Sequence, residues 1–303
     1  MPNLKDIRRR IGSVKKTGQI TKAMKLVAAA KLKRASDAAT SAKPYQRHLS
    51  AVLARVSRKA GDSVKDPLLE PREKVSKILV VVMTSDRGLC GGFNNNLLRN
   101  AHAWLLQKRA AGIEIHARAY GRKGASALPR RGWKLDAAVT DWSARKKMDL
   151  VREAVDEMVA GFVDRKYDEV WVISNEWVST LVQKPRYQRI LPLVVDYSPP
   201  GPGVERRDPS VGAATDDGGL DYRYEPSAPE IVGALLPLYI RTLVLQALLE
   251  TEAGELASRM TAMDSATRNA NDLIGRLTIQ YNRARQAAIT KELIEIVSGA
   301  AAL

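Results

Sequence analysis

Cysteine is almost absent from this 303-residue sequence, which contains only Cys90. One cysteine cannot form an internal disulfide, and it cannot build a metal site that needs several thiolates. Histidine is nearly as scarce: there are three, of which His48 falls in a basic stretch and His116 in a predicted strand. A Cys–His nucleophile pair would therefore depend on His102 alone. We favour a packed or contact-making role for Cys90.

Long uncharged apolar runs are also scarce. No run approaches the ~18 to 20 residues that a membrane-spanning helix needs. The opening Met1-Pro2-Asn3 shows no hydrophobic signal core. The sequence predicts an intracellular protein without a membrane span of its own.

Interior proline is missing from two long stretches at opposite ends, residues 3–43 and 238–303. Both repeat apolar or small residues at alternating steps of three and four, which aligns one seam along a helix. The first seam is Leu4, Ile7, Ile11, Val14, Gly18 and Thr21; the second is Leu256, Met260, Met263, Thr267, Ala270, Ile274, Leu277, Tyr281, Ala284 and Ala288. Because the chain must leave along one helix and return along the other, the pattern predicts an antiparallel coiled coil. A bundle of shorter, broken helices is the alternative.

Positive charge is concentrated at one end of the sequence. Residues 1–60 carry 16 Lys and Arg against Asp6 and Asp37, whereas residues 61–303 carry 33 against 31 acidic residues. A basic helix attracts nucleic acid, anionic lipid or an acidic protein surface, and the charge alone does not choose among them.

Strand and helix patterns alternate in the middle of the chain. Apolar or alternating runs predict strands at 77–84, 113–120 and 170–174, with a further edge strand at 187–195, and helices at 94–111 and 144–165. This order predicts an α/β domain with a largely parallel sheet.

Four segments result from these patterns: an N-terminal coiled-coil helix over 1–60, the α/β domain over 75–195, a linker over 196–229 and a C-terminal coiled-coil helix over 230–303. The linker is rich in proline, glycine and acidic residues, which supply no core.

The segment TSDRGLCGGFN, residues 84–94, directly follows the first predicted strand, where nucleotide-binding domains place a phosphate loop. Its glycines form GxxGG, which is neither GxGxxG nor GxxxxGK[ST], so the pattern argues against nucleotide binding. Beside Cys90, Asp86 and Arg87 are expected to pair with each other or with a partner protein.

Three segments together carry a family resemblance. Residues 289–302 (ITKELIEIVSGAAA), 20–29 (ITKAMKLVAA) and 85–94 (SDRGLCGGFN) match motifs of the gamma subunit of F-type ATP synthases. The sequence resembles that family over essentially its whole length, although its insert around residues 199–219 is longer than the bacterial pattern.

The resemblance implies a long antiparallel coiled coil of the terminal helices plus a Rossmann-like domain. It implies the central rotor shaft of a proton-translocating ATP synthase at the cytoplasmic face of the bacterial inner membrane. The implied partners are three alpha and three beta subunits, the epsilon subunit and the membrane c-ring, without nucleic acid and with membrane association only through partners. No catalytic residue, metal or cofactor is implied in this chain.

Residue by residue, the family motifs imply two sets of contacts. The implied contacts with beta subunits are Lys22, Met24, Cys90, Arg285, Gln286, Thr290 and Glu292. The implied contacts with epsilon and the c-ring are Tyr224 and Glu225.

Two competing hypotheses remain. A basic coiled coil that binds nucleic acid would use the N-terminal helix on phosphates, with affinity falling steeply as salt rises. That helix contains only Tyr45 as an aromatic residue, which disfavours base stacking. An α/β enzyme would require a glycine pattern or a placed base that the sequence lacks.

Overall fold

The computed structural model describes residues 4–63, 65–194, 225 and 227–301. The chain divides into two compact units. One consists of Met1–Ala30 with Arg259–Leu303, and the other of Lys31–Ser258. The two long helices contribute to both, because α1 spans Leu4–Ala60 and α5 spans Ala228–Ala301.

The larger unit is built on a five-stranded sheet. In chain order its elements are β1 (Lys77–Met83), α2 (Phe93–Ala110), β2 (Glu114–Tyr120), α3 (Arg122–Arg130), β3 (Leu135–Val139), α4 (Lys147–Val163), β4 (Glu169–Trp177) and β5 (Gln183–Leu191). The strand order is β3-β2-β1-β4-β5, and only the β4–β5 pair is antiparallel. The predicted α/β class and largely parallel sheet are confirmed.

Strand β1 lies at the centre of the sheet and is buried on both faces, as its continuous β-branched run predicted. Its odd-numbered residues, from Leu79 to Met83, join a core with α4 and with parts of α1 and α5. Its even-numbered residues, from Ile78 to Val82, join a second core with α2 and α3. Helices therefore cover the sheet on both faces, as in doubly wound folds.

Two elements escaped the sequence analysis, α3 and β3. Strand β3 contains five residues, and its central three are exposed because it lies at the sheet edge. Small exposed residues such as Ala137 and Ala138 give no apolar alternation to detect. Helix α3 has only nine residues and contains Gly124 and Pro129, which the sequence alone presents as breakers.

Both long helices continue through a proline, Pro44 in α1 and Pro237 in α5. An interior proline removes one backbone hydrogen bond and costs about 3 kcal/mol. The burial of neighbouring residues in the core, including Leu49 and Leu236, offsets this cost. The helices therefore extend beyond the proline-free stretches 3–43 and 238–303.

Helix α5 corrects the expectation about apolar runs. Among the described residues it contains an 18-residue window that is apolar enough, by length and composition, to cross a membrane. Just over half of that window is buried within the protein. Val232, Leu236, Ile240 and Val244 pack in the core with the sheet, which accounts for the apolar composition without a membrane.

The smaller unit is the predicted two-helix seam. In α1, every residue from 4 to 23 that is shielded from solvent is a predicted seam residue. In α5 the same is true from 268 to 294. The pairing is antiparallel: the Thr21 and Thr267 hydroxyls are 2.8 Å apart, while Lys25 Nζ lies 2.5 Å from Asp264 Oδ1. The heptad analysis predicted this arrangement correctly.

Candidate functional site

The predicted contact residues on α1, Lys22 and Met24, are sequence neighbours of Lys25, which forms a polar contact between the two helices. Lys25 donates a hydrogen bond to Asp264, which holds the pKa of that carboxyl below its usual range, and Arg268 lies 3.3 Å from the same carboxylate. Lys22 is exposed and Met24 is half-buried. Lys25 is therefore engaged within the pair, while the Lys22 side chain faces solvent.

The predicted contact residues on α5 lie on the exposed part of the helix. Arg285, Gln286, Thr290 and Glu292 are all exposed, and the Thr290 hydroxyl donates to the Gln286 carbonyl at 3.0 Å. Arg285 and Glu292 are seven residues apart and share one helix face, whereas Gln286 and Thr290, four apart, share another. Two sides of the helix can thus meet different surfaces at the same time.

The end of α5 presents apolar side chains to solvent. In the seam register Thr21 lies beside Thr267, so Leu4 lies beside about residue 284 and the helix continues past the first described residue of α1. Five large apolar residues beyond that point are each about half exposed or more: Ile289, Leu293, Ile294, Ile296 and Val297. No described residue covers them. An exposed apolar patch of this kind marks an interaction surface.

The loop after β1 is held by its own side chains. The Asn94 amide bonds Ser85 in both directions: its oxygen accepts from Ser85 N at 3.0 Å and its nitrogen donates to Ser85 Oγ at 2.8 Å. Cys90 is 2% exposed, and its sulfur accepts from Asn94 Nδ2 at 3.1 Å. The Cys90 side chain therefore supports the loop from inside, and the exposed side chains of this loop are Arg87 and Leu89.

Asp86 differs from the sequence expectation. It is buried, and its Oδ1 accepts from the backbone N–H groups of Arg122 at 3.1 Å and Asp141 at 2.8 Å. The carboxylate ties three loops together at the carboxyl edge of the sheet instead of pairing with Arg87. Spacing alone could not show this, because the two donors follow β2 and β3, far along the chain.

Two of the three histidines, His102 and His116, have partners within the chain. His102 Nδ1 accepts from Trp133 Nε1 at 2.8 Å, and His116 Nδ1 lies 2.8 Å from Asp136 Oδ2. Burial raises the pKa of Tyr120, at the end of β2, to about 12, so this phenol stays protonated at neutral pH. Glu225 is exposed. Tyr224 lies outside the described residues.

The sequence analysis missed Leu89. Its side chain is 65% exposed and its backbone φ is +63°. A leucine in a loop with three nearby glycines, Gly88, Gly91 and Gly92, was the available signal.

Comparison with known proteins decides the family. A family model described as ATP synthase matches residues 3–303. An ATP synthase gamma chain from Pelotomaculum thermopropionicum is 43% identical over 303 residues, covering all of both chains. One from Hyphomonas neptunium is 44% identical over 306 residues, again covering all of both. The chain belongs to the ATP synthase gamma chain family.

Solved structures agree in fold. A chain of the Euglena gracilis mitochondrial ATP synthase, from a structure described as OSCP/F1/c-ring, rotational state 3, aligns with a TM-score of 0.66 at 22% identity, covering 99% of this chain and 94% of that one. The central stalk/c-ring structure of the Tetrahymena thermophila mitochondrial ATP synthase aligns with a TM-score of 0.59 at 24% identity, covering 82% and 99%.

As a gamma chain, this protein is the central rotor shaft of an ATP synthase and a non-catalytic subunit of that complex. It is associated with the membrane peripherally, as part of the complex. No finding favours the nucleic-acid hypothesis.

Proposed function

We propose that the chain turns within a ring of three alpha and three beta subunits. We further propose that the chain contacts the epsilon subunit and a proton-driven c-ring, and that the c-ring turns it. The observation that carries this proposal is the exposed end of α5, which continues past the first described residue of its partner helix with apolar residues from Ile289 to Val297. We place the complex at the cytoplasmic face of a bacterial inner membrane, since the two relatives quoted above are bacterial.

The chemistry of the α5 end suits a rotating contact. Apolar side chains have no directional bonds, so a sleeve that encloses them can exclude water without fixing one angle. Buried ion pairs at the same place would hold one orientation, because separating them leaves an uncompensated charge at a cost of about 3–5 kcal/mol. The apolar end can therefore rotate against the surface that encloses it.

Polar contacts belong to exposed residues that precede the apolar end or lie between its apolar side chains. We assign Arg285, Gln286, Thr290 and Glu292 to loops of the beta subunits, together with Lys22, Met24 and the loop around Cys90. Exposed charge pairs are each worth about 0–1 kcal/mol, weak enough to break and form again at every step. Tyr224 and Glu225 are assigned to epsilon and the c-ring.

Assembly with the other subunits tests the proposal. The purified chain is mixed with alpha and beta subunits, the product is isolated by size, and ATP hydrolysis is measured with and without the chain. We expect a seven-subunit complex whose hydrolysis depends on this chain. Alpha and beta subunits that assemble and hydrolyse equally well in its absence would contradict the proposal.

A pair of variants tests the apolar end specifically. Replacing Ile289, Leu293 and Ile296 by Ala keeps the helix and its apolar character, whereas replacing them by Asp places charges in the sleeve. We expect the Asp variant to lose hydrolysis several-fold and the Ala variant to retain most of it. Equal hydrolysis by the Asp variant would show that this end does not enter an apolar sleeve.

The competing hypotheses have direct controls. Titration of the isolated chain with NAD and ATP tests the enzyme hypothesis, and gel retardation of DNA and RNA at several salt concentrations tests the nucleic-acid hypothesis. Saturable nucleotide binding, or salt-sensitive retardation without any association with alpha and beta subunits, would favour one of these over the rotor.

A further inference from the structure

Leu89 is the residue whose conformation lacks an explanation within the chain. Its φ of +63° lies in the left-handed region, where a bulky side chain is an outlier. Its side chain is nevertheless 65% exposed, so packing does not compensate for the strain. Glycine or asparagine would adopt this backbone at lower cost.

The two other described non-glycine residues with positive φ have local reasons. Arg165 occupies the left-handed position that ends α4, where its N–H donates to the Phe162 carbonyl at 3.2 Å. Asp141 is a residue type that tolerates this region, and its N–H donates to Asp86. Leu89 has no comparable reason, since it ends no helix and its side chain is apolar.

The surrounding loop is rigid enough to maintain the strain. Ser85 and Asn94 bond each other twice, and Ser85 Oγ donates to the Arg87 carbonyl at 2.6 Å. The buried Cys90 and Asp86 fix the loop from its inner side. A strained residue persists only where its surroundings over-determine it, and such residues cluster at functional sites.

Two cations lie on the N-terminal side of the exposed leucine in this loop. Arg87 is exposed two residues before it, and Lys123 Nζ lies 3.4 Å from the Cβ position of Gly88. Neither cation forms an ion pair with any residue that the structure describes. An apolar side chain beside two cations that form no ion pair with a described residue is complementary to an acidic surface that contains an apolar depression.

We propose that Leu89 is a contact residue of the rotor, an apolar anchor that Arg87 and Lys123 orient on an acidic surface of the beta subunits, with Cys90 as its internal support. This inference rests on the proposed function, which places the loop against beta. It assigns the contact with beta to the exposed Leu89 side chain instead of the buried Cys90 thiol. It also explains why a strained leucine occupies a position that glycine would fill more easily.

Stability of the isolated chain is the first test. Leu89→Gly and Leu89→Asn both relieve the left-handed strain, so their urea unfolding midpoints should equal or exceed that of the wild-type chain. Leu89→Met keeps the strain and the apolar character and should unfold like the wild type. A lower midpoint for both Gly and Asn would show that the leucine serves the fold and would overturn the inference.

Hydrolysis by the assembled complex is the second test. Leu89→Asn should lower chain-dependent ATP hydrolysis or ATP-driven rotation several-fold, while Leu89→Met should retain it. The matched control is Leu181→Asn, since Leu181 is a 78% exposed leucine in the β4–β5 turn of the same unit. Equal loss in both Asn variants, or no loss in either, would overturn the inference.

A photo-crosslinking amino acid at position 89 identifies the surface that it meets. In the complex we expect a product with beta, and no such product from the same group at position 181. Absence of any product at position 89 would overturn the inference, as would a product with epsilon or the c-ring. If the wild-type chain itself failed to support hydrolysis with alpha and beta, the proposed function would fail instead.

Discussion

A close approach of two backbone segments explains why position 121 of the larger unit is a glycine. Gly121 follows β2 with φ of +99°, and a Cβ added there would lie 2.1 Å from the Thr84 carbonyl oxygen. The Gly121 N–H also donates to the Val139 carbonyl at 2.8 Å, so this backbone is held from two sides. Glycine is required at this position because the carboxyl ends of β1 and β2 approach so closely.

Gly121→Ala should therefore destabilise the larger unit by more than about 2 kcal/mol, since the strands must separate to admit the methyl group. Gly132→Ala is the matched control, because Gly132 also has positive φ, at +81°, but has open space around its Cβ position. Its expected cost is about 1 kcal/mol, from backbone strain alone. Urea unfolding followed by tryptophan fluorescence measures both, and equal costs would contradict the steric explanation.

Asp264 gives the helix pair a defined dependence on pH. The hydrogen bond from Lys25 is the largest cause of the lowered pKa of its carboxyl, relative to the ordinary value of 3.8. Because the folded-state pKa is lowered, the contribution to stability is present above the ordinary value and is lost as pH falls through the folded-state pKa.

We expect Asp264→Asn to be less stable than the wild type at pH 7 and to approach it as the pH falls below 3.8. Asp272→Asn, at an exposed position on the same helix, is the control and should follow the wild type throughout. Thermal unfolding followed by helical circular dichroism between pH 7 and pH 3 gives the comparison. A difference that persists unchanged at pH 3 would exclude the Lys25–Asp264 pair as its cause.

At the scale of elements, the seam depends on a few side chains in an otherwise exposed helix. Leu277 lies on the seam and is 9% exposed, whereas Leu273, one turn earlier, is 44% exposed. Burial of an aliphatic side chain, and not its mere presence in a helix, stabilises the pair.

Leu277→Ala should cost about 2–3 kcal/mol of helix-pair stability. Leu273→Ala should change it by less than about 0.5 kcal/mol. The two variants share their chemistry and differ only in the face that they occupy. Loss of helical circular dichroism on heating, or protease sensitivity of the helix pair, measures the difference. A similar cost for both variants would contradict the observed seam.

Periodicity predicted the elements that repeat, and it failed where elements are short or interrupted. The seam residues were identified from spacing because a two-helix contact repeats every seven residues. Strand β1 was identified because burial on both faces requires a continuous apolar run. Helix α3 and strand β3 gave no such signal. The terminal helices predicted over 1–60 and 230–303 already included Pro44 and Pro237. Tertiary packing, which the sequence does not display, carries α1 and α5 past those prolines.

The contact residues were predictable only in part. The family motifs indicated the loop around Cys90, but the burial of that thiol and the exposure of Leu89 follow from the Ser85–Asn94 bonds. Those bonds join residues whose identities give no hint of mutual orientation. The structure thus shows that Cys90 is buried and Leu89 is exposed within a motif that the sequence identified as a whole.

At the scale of the whole molecule, charge is divided unequally. Nearly all of the net charge of +16 comes from residues 1–60, and the remainder of the chain is almost neutral. Arg8, Arg10 and Lys15 are exposed on α1, where their charges act on approaching partners more than on the fold. Such a field speeds association with an acidic surface, and salt screens it over a Debye length of about 8 Å at physiological ionic strength.

The triple substitution of Arg8, Arg10 and Lys15 by Gln should therefore slow assembly with alpha and beta subunits several-fold at low salt, and the difference should close at high salt. The control replaces Arg130, Lys134 and Lys146 by Gln and so removes the same total charge. These three residues are exposed in the nearly neutral part of the chain. Assembly rates at two ionic strengths separate the alternatives. If both triple variants slow assembly equally, net charge governs the encounter; if only the α1 variant does, the basic helix directs it.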